Sequence, residues 1–265
     1  MKVRTCLMIA VIIALASGLL AARSVHYAEH SSNPLRFDVD TDKEQYLVGE
    51  EVHLNFKVVN QSDRQVSLYP GSTVWDGYID VFVAYQGEDF RRYRGPMWGV
   101  RDAIYKEPLI LKPGEAFESE AVMLCNPVLE TSHLNDAAAK RAQKRENLVQ
   151  GNYVLTKPGY YFVKAILLDP KSDNIIESSP VRSFADRPQG DDLDVWNKIK
   201  DRRDYAFFIQ TGSVGNVGDQ HSKKVANDLQ EIVTLHPTNK YADKIRKSLN
   251  EYREVVNKFN SDKQE

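Results

Sequence analysis

The sequence predicts a mainly β protein, an antiparallel β-sandwich followed by a small C-terminal α-helical region. Three observations carry that expectation. About eight short segments of alternating hydrophobicity, spaced by turn signals, precede residue 130 with little helical periodicity among them. The run from Tyr160 to Leu168 is apolar on both faces, with Tyr161, Val163, Ala165 and Leu167 on one and Tyr160, Phe162, Ile166 and Leu168 on the other. Beyond residue 192 the apolar period changes from two to three and four. A parallel βαβ arrangement would need crossover helices, and little before residue 130 reads as one.

The chain opens on Met1-Lys-Val-Arg-Thr and an apolar run from Cys6 to Ala22 that ends in small residues, the pattern of an export signal. Residues 1–22 are expected to be a signal peptide, cleaved after Ala22 or after Ala16, and residues 23–34 a polar spacer. The expected location is secreted or periplasmic. The alternative is an uncleaved N-terminal anchor, which would be the only route to a membrane. Ser17 and Gly18 interrupt that run, which is short beside the roughly 20 apolar residues a spanning helix needs. Without the signal, 33 Lys and Arg face 37 Asp and Glu, a charge of −4 against −2 for the whole 265-residue chain. This balance lacks the basic footprint that neutralises nucleic-acid phosphates, so nucleic acid is set aside as a partner. Cys6 leaves with the signal and Cys125 then has no internal disulfide partner, so the core must hold the mature fold. Cys125 follows Val122, Met123 and Leu124 and reads as a small buried residue at a strand end.

Taken in order, Leu35, Phe37 and Val39 alternate with Arg36, Asp38 and Asp40 as the first strand, and Gln45 to Gly49 leads into Val52, Leu54, Phe56 and Val58. Asn60-Gln-Ser-Asp63 turns the chain back through Val66 and Leu68. Tyr78 to Tyr85 comes next, Gly87-Glu-Asp89 turns it toward Phe90 to Tyr93, and Leu109 to Leu111 ends at Lys112-Pro-Gly114. Phe117 to Met123 alternates again. Residues 127–151 form an insertion rich in Ala and Lys or Arg, with a weak apolar face at Leu134, Ala138, Ala142 and Leu148, expected as a short surface helix or loop. Pro158-Gly159 launches the central strand, and Ile175, Ile176 and Val181 to Phe184 close the sheet, with Pro180 marking an edge or a bulge.

Three phrases, Tyr46-Leu-Val-Gly-Glu-Glu-Val-His-Leu-Asn-Phe-Lys-Val-Val-Asn60, Leu111-Lys-Pro-Gly-Glu115 and Lys157-Pro-Gly-Tyr-Tyr-Phe-Val-Lys-Ala165, together resemble an immunoglobulin-like domain of bacterial envelope and secreted proteins. The resemblance covers residues 33–185 and implies an immunoglobulin-like β-sandwich. The paired cysteines of antibody-type domains are missing, which sets that subclass aside.

Residues 186–192 read as a linker and residues 191–260 as a three-helix region. The first helix runs from Asp191 or Asp192 through Leu193, Trp196, Ile199 and Ala206 to Ile209, closing at Gly212. The second carries Val225, Leu229, Ile232 and Val233 and stops before Pro237. The third starts at Thr238 and sets Tyr241, Ile245, Leu249, Tyr252, Val256 and Phe259 on one stripe, a face for its sister helices or for a protein partner. Leu229 to Ala242 resembles the join inside a tetratricopeptide-type helical hairpin, in a single unit with no second copy at that family's spacing, so an array is not expected. A linker at 186–192 predicts that a chain stopped at Asp186 still folds.

Chemistry-bearing patterns are sparse. His26-Tyr-Ala-Glu-His30 has the letters of an inverted zinc-protease motif, but Ser31-Ser-Asn-Pro34 ends any helix at once and no apolar face docks it. Asp38, Asp40 and Asp42 alternate like a calcium loop, yet Lys43 occupies the glycine position and Gly49 the closing ligand position. No metal and no cofactor are therefore expected. There is no Gly-x-Ser-x-Gly elbow and no Gly-rich phosphate loop, and Asn60-Gln-Ser62 is a glycosylation sequon that reads first as a turn. The enriched feature is aromatic: Trp75, Trp98 and Tyr105 fall in segments of loop character and are candidate ligand-binding residues. The expected function is a non-enzymatic, exported binding or structural module that engages a protein of the envelope or secretome. The alternatives are a glycan-binding module using those aromatics, and an accessory domain of a hydrolase on another chain.

Overall fold

The computed structural model describes residues 33–68, 74, 78–93, 95, 108–126, 152–169, 174–214 and 219–262. Among them are eleven strands in three sheets and four helices, so the chain is strand-rich but mixed, and the mainly β expectation is corrected. One sheet is antiparallel, in the order β1 (Leu35–Thr41), β3 (Val52–Asn60), β8 (Ala116–Met123). The second runs β2 (Gln45–Leu47), β11 (Val181–Asp186), β9 (Gly159–Asp169), β5 (Ile79–Tyr85), β6 (Arg91–Tyr93), with β10 (Asn174–Glu177) also on β9. A two-stranded ribbon joins β4 (Val66–Leu68) to β7 (Leu109–Leu111).

Alternation sets which side of each strand is inside. Leu35, Phe37 and Val39 of β1 and Val52, Leu54, Phe56 and Val58 of β3 are buried, and the register Phe37↔Val58, Val39↔Phe56 brings the rings of Phe37 and Phe56 to 6.1 Å. β9 is central. It pairs β5 on one side from Ile79↔Leu167 to Tyr85↔Tyr161, while β11 and β10 share its other side. The change of partner falls at Ser178 to Pro180, where Ser178 N–H donates to the Ala165 carbonyl and Ser178 Oγ accepts from Ala165 N–H, each at 2.9 Å. Pro180 has no N–H to continue a ladder, so a side chain completes the pairing at the break.

The helices are α1 (Gly190–Ile199), α2 (Arg203–Thr211), α3 (Gln220–Leu235) and α4 (Ala242–Ser261). The single helix expected between Asp191 and Gly212 is two. The chain turns at Lys200 to Arg202, where Arg202 N–H donates to the Ile199 carbonyl at 3.0 Å and the Arg202 side chain pairs with Asp204 at 3.0 Å. That turn lets Val195, Trp196 and Ile199 and then Ala206, Phe208 and Ile209 all face inward, which one straight helix would not. Asp219 caps α3 by accepting from Ser222 N–H at 2.6 Å, and Gly212, at φ 75°, closes α2 in the left-handed region. α4 starts later than Thr238 because residues 236–241 form a turn: Asn239 donates its amide to the His236 carbonyl and accepts from Tyr241 N–H at 2.9 Å. Among the described residues no helix is long and apolar enough to cross a membrane.

Sheets and helices share one core. β11 runs through Asp186 and α1 begins at Gly190, so the expected linker is mostly strand end and helix start. Tyr153 packs edge-on against Trp196 with centroids 5.0 Å apart, and Tyr241 Oη donates to the Val48 carbonyl at 2.6 Å. Gln210 of α2 joins the layers by accepting from Cys125 N–H at 2.7 Å and donating to the Val122 carbonyl at 2.8 Å.

Candidate functional site

Burial decides first which expected sites are available. Trp75, Trp98 and Tyr105 lie outside the described residues, as do the His26 to His30 motif and the 127–151 insertion. The α4 stripe is corrected as a partner surface. Tyr241, Ile245, Leu249 and Tyr252 are buried in the chain's own core and Val256 packs against it, leaving Phe259 exposed in the last turn. The physical reason is that an amphipathic helix is marginal alone, and this one finds its apolar partners in α2, α3 and the Val48 turn.

The other sequence motifs have structural uses. Asp42 Oδ1 accepts from Tyr46 Oη at 2.6 Å and from His53 N–H at 3.1 Å, Asp38 pairs with Arg36, and Asp40 accepts from Thr41 N–H. Among the described residues no group of three or more His, Cys, Asp or Glu side chains is arranged to hold a metal ion. Asn60 is buried, with its amide donating to the Arg64 carbonyl at 2.7 Å and to the Leu111 carbonyl at 2.9 Å, so the sequon nitrogen is engaged in the turn. Burial pushes the Cys125 thiol up to about 12, against a smaller opposing pull from Arg203, which makes it inert as a nucleophile at neutral pH.

Two features remain. The first is the outer face of the six-stranded sheet. β9 sends Tyr160, Phe162, Lys164, Ile166 and Leu168 to the side away from the core, and the register sets beside them Phe184 of β11, Phe82 and Ala84 of β5 and Ile175 of β10. Tyr160 is 42% exposed and Ile175 65%. Tyr160 and Phe184 meet edge-on, with centroids 4.9 Å apart and planes at 66°, and the Arg182 guanidinium lies 5.0 Å from the Tyr160 ring. Lys164 Nζ sits 4.6 Å from the Phe90 ring and 5.9 Å from Phe82, and pairs with Glu177 at 2.6 Å, so its stem lies along the apolar face while its charge stays tied at the edge.

The second is a cleft of about 300 Å³ where the turn after β2 meets the first turns of α4. Its floor is apolar, from Leu124, Ile199, Ile209, Tyr241 and Ile245. On its wall Lys244 Nζ stands 2.6 Å from Glu51 Oε2, off the angle of a hydrogen bond but within an ion pair, and His53 Nε2 is 3.1 Å from Glu51 Oε1. Burial pushes the Glu51 carboxyl up, but Lys244 and His53 outweigh it and hold the group below its ordinary range. The residues of this face are readable in sequence as the second apolar side of β9, a pattern that predicts a strand covered on both faces, so its exposure at Tyr160 and Ile175 is not. Nor is the cleft, because Glu51 and Lys244 are far apart in the chain and neither sits in a motif.

No family model and no curated protein sequence matches the chain. Solved structures similar to it include a β-glucosidase from Erythrobacter marinus (14% identity, TM-score 0.28, covering 57% of this chain and 15% of that one). A sporulation control protein from Bacillus subtilis matches at 13% identity and TM-score 0.28, covering 63% of this chain and 54% of that one. A Pseudomonas fluorescens alkylpurine DNA glycosylase matches at 8% identity and TM-score 0.30, covering 57% and 30%. The chain therefore spans less than two thirds of the length of each.

Proposed function

We propose that the chain is an exported, non-enzymatic binding module, an immunoglobulin-like sandwich whose larger sheet turns its outer face to a protein partner of the envelope or secretome. The observation that carries this reading is the second apolar face of β9. A water-facing antiparallel sheet alternates apolar-in with polar-out, yet here exposed Tyr160 and half-buried Phe162, Ile166 and Leu168 occupy the outer positions, bordered by exposed Ile175 and Arg182. Aromatic and aliphatic anchors with arginine among them are the composition of interface centres. A protein is favoured over a glycan because the rings offer no flat platform: Tyr160 and Phe184 are crossed at 66°, and cations lie over Tyr160, Phe82 and Phe90. The sandwich reading is supported by the alternate buried residues of both sheets, which join one cluster. The non-enzymatic reading is supported by the inert Cys125 thiol and by buried polar groups such as Asn60 and Ser178, which are spent on backbone pairing.

The test is a comparison of two baits. Proteins that the wild-type chain retains from an envelope extract should be lost by the Tyr160→Arg, Ile175→Arg double variant, whose melting temperature stays within a few degrees of wild type. A partner retained equally by both removes the sheet face as its site, and retention on an insoluble polysaccharide, lost in the same variant, replaces the protein with a glycan.

A further inference from the structure

The cleft beside α4 is separate from the outer sheet face and has an unbalanced rim. All three of its acids are committed: Glu51 to Lys244 at 2.6 Å, Asp243 to Arg246 at 2.5 Å, and Glu50 to Lys43 and, at 2.7 Å, to Leu47 N–H. Its three lysines are not. Lys244 is neutralised by Glu51, whereas Lys240 and Lys247, both exposed, have no ion-pair partner among the described residues. With Lys43 and Arg246, the partners of Glu50 and Asp243, and with the Asp192 carboxylate that accepts from Lys240 N–H at 2.7 Å, five cations meet four acids around the mouth, and α4 adds the positive end of its dipole because its first two turns line the cleft. Behind that mouth the floor is aliphatic and aromatic, and a volume of about 300 Å³ is at the lower end for small-ligand pockets.

We propose that this cleft binds a small amphipathic carboxylate, with its apolar body on Leu124, Ile199, Ile209 and Ile245 and its anionic head held by Lys240 and Lys247. A cation is disfavoured because every lining carboxylate already has a partner. A purely polar anion such as phosphate would leave the floor unused, and an uncharged apolar molecule would leave the lysines unused. Glu51 and Lys244 hold the wall by tying the end of the β2 turn to α4, so they position the site and do not compete for the head group.

Sodium octanoate titrated into the purified chain by calorimetry is the direct test. Saturable one-to-one binding is expected, with sodium acetate and octylammonium chloride each at least tenfold weaker. The Lys240→Ala, Lys247→Ala double variant changes two exposed side chains, so it should keep the wild-type melt and weaken octanoate at least tenfold. The Tyr160→Arg, Ile175→Arg variant should bind octanoate as wild type does, which separates this site from the sheet face. Absence of saturable octanoate binding, equal binding of octylammonium, or octanoate affinity unchanged by loss of the two lysines would each overturn the proposal.

Discussion

Gly49 passes directly beneath the indole of Trp196: a Cβ built on Gly49 would lie 2.1 Å from Cζ3 of that ring. Its φ of +82° is in the left-handed region that side chains resist, so the turn after β2 needs glycine twice over, for its backbone and for the space above it. Through this contact the first sheet-forming turn and α1 become one packing unit, with Tyr153 and Tyr241 flanking the same indole.

Gly49→Ala is accordingly expected to destabilise by about 2–4 kcal/mol, combining backbone strain with overpacking. In a unit of this size each kcal/mol lowers the melting temperature by roughly 2–4 °C. A thermal melt followed by Trp fluorescence checks it. A variant that melts with wild type would mean the indole moves aside without cost.

Gln210 is the polar counterpart. Gln210→Leu leaves Cys125 N–H and the Val122 carbonyl without their bonds beneath α2, where each unsatisfied group costs about 1–3 kcal/mol. In wild type the Cys125 thiol, buried and raised to about 12, should resist an aromatic disulfide reagent until the protein unfolds. In Gln210→Leu the labelling rate should rise, since local opening of that contact exposes the thiol. Equal rates would assign the protection to packing alone.

Acid should loosen the α4 contact. The Glu51 carboxyl is held below its ordinary value of 4.5 in the folded chain, so its contribution is fully present above that value and is lost as pH falls through the lower, folded value. Glu51→Gln removes the charge and with it this part of the pH dependence. The drop in melting temperature between pH 7 and pH 3 should be smaller in Glu51→Gln than in wild type, although the variant is less stable at pH 7. An unchanged drop would show that other carboxylates carry the acid sensitivity.

Much of the strand plan was readable because alternation and turn residues act locally. Leu35, Phe37 and Val39 and the β9 run lie where their period places them, and Pro180 falls at the change of partner along β9. What escaped depends on distance in the chain. The break after Ile199 is made by a charged turn, and because Trp196, Ile199, Ala206 and Ile209 keep helical spacing across it while Phe208 alone falls off that face, periodicity merges α1 and α2. The α4 stripe is evident in sequence, but its partner is not: Tyr241 meets the Val48 carbonyl and Trp196 covers Gly49, contacts that no local pattern encodes. For the same reason residues 186–192 look like a linker although β11 and α1 occupy most of them.

Sheets and helices form one folding unit, which removes the α4 stripe as a docking surface and leaves the sheet face for a partner. A chain ending at Asp186, compared with one ending at Glu265, separates this unit from two independent modules. Without α1 to α4, Val48, Leu124 and Tyr153 lose their covering and the Gln210 and Tyr241 bonds disappear. The shorter chain should show no cooperative thermal transition and expose apolar surface to a hydrophobic dye, while the longer chain melts in a single step. A shorter chain that melts cooperatively with native near-ultraviolet ellipticity would contradict it, and would restore the helices as a separate module.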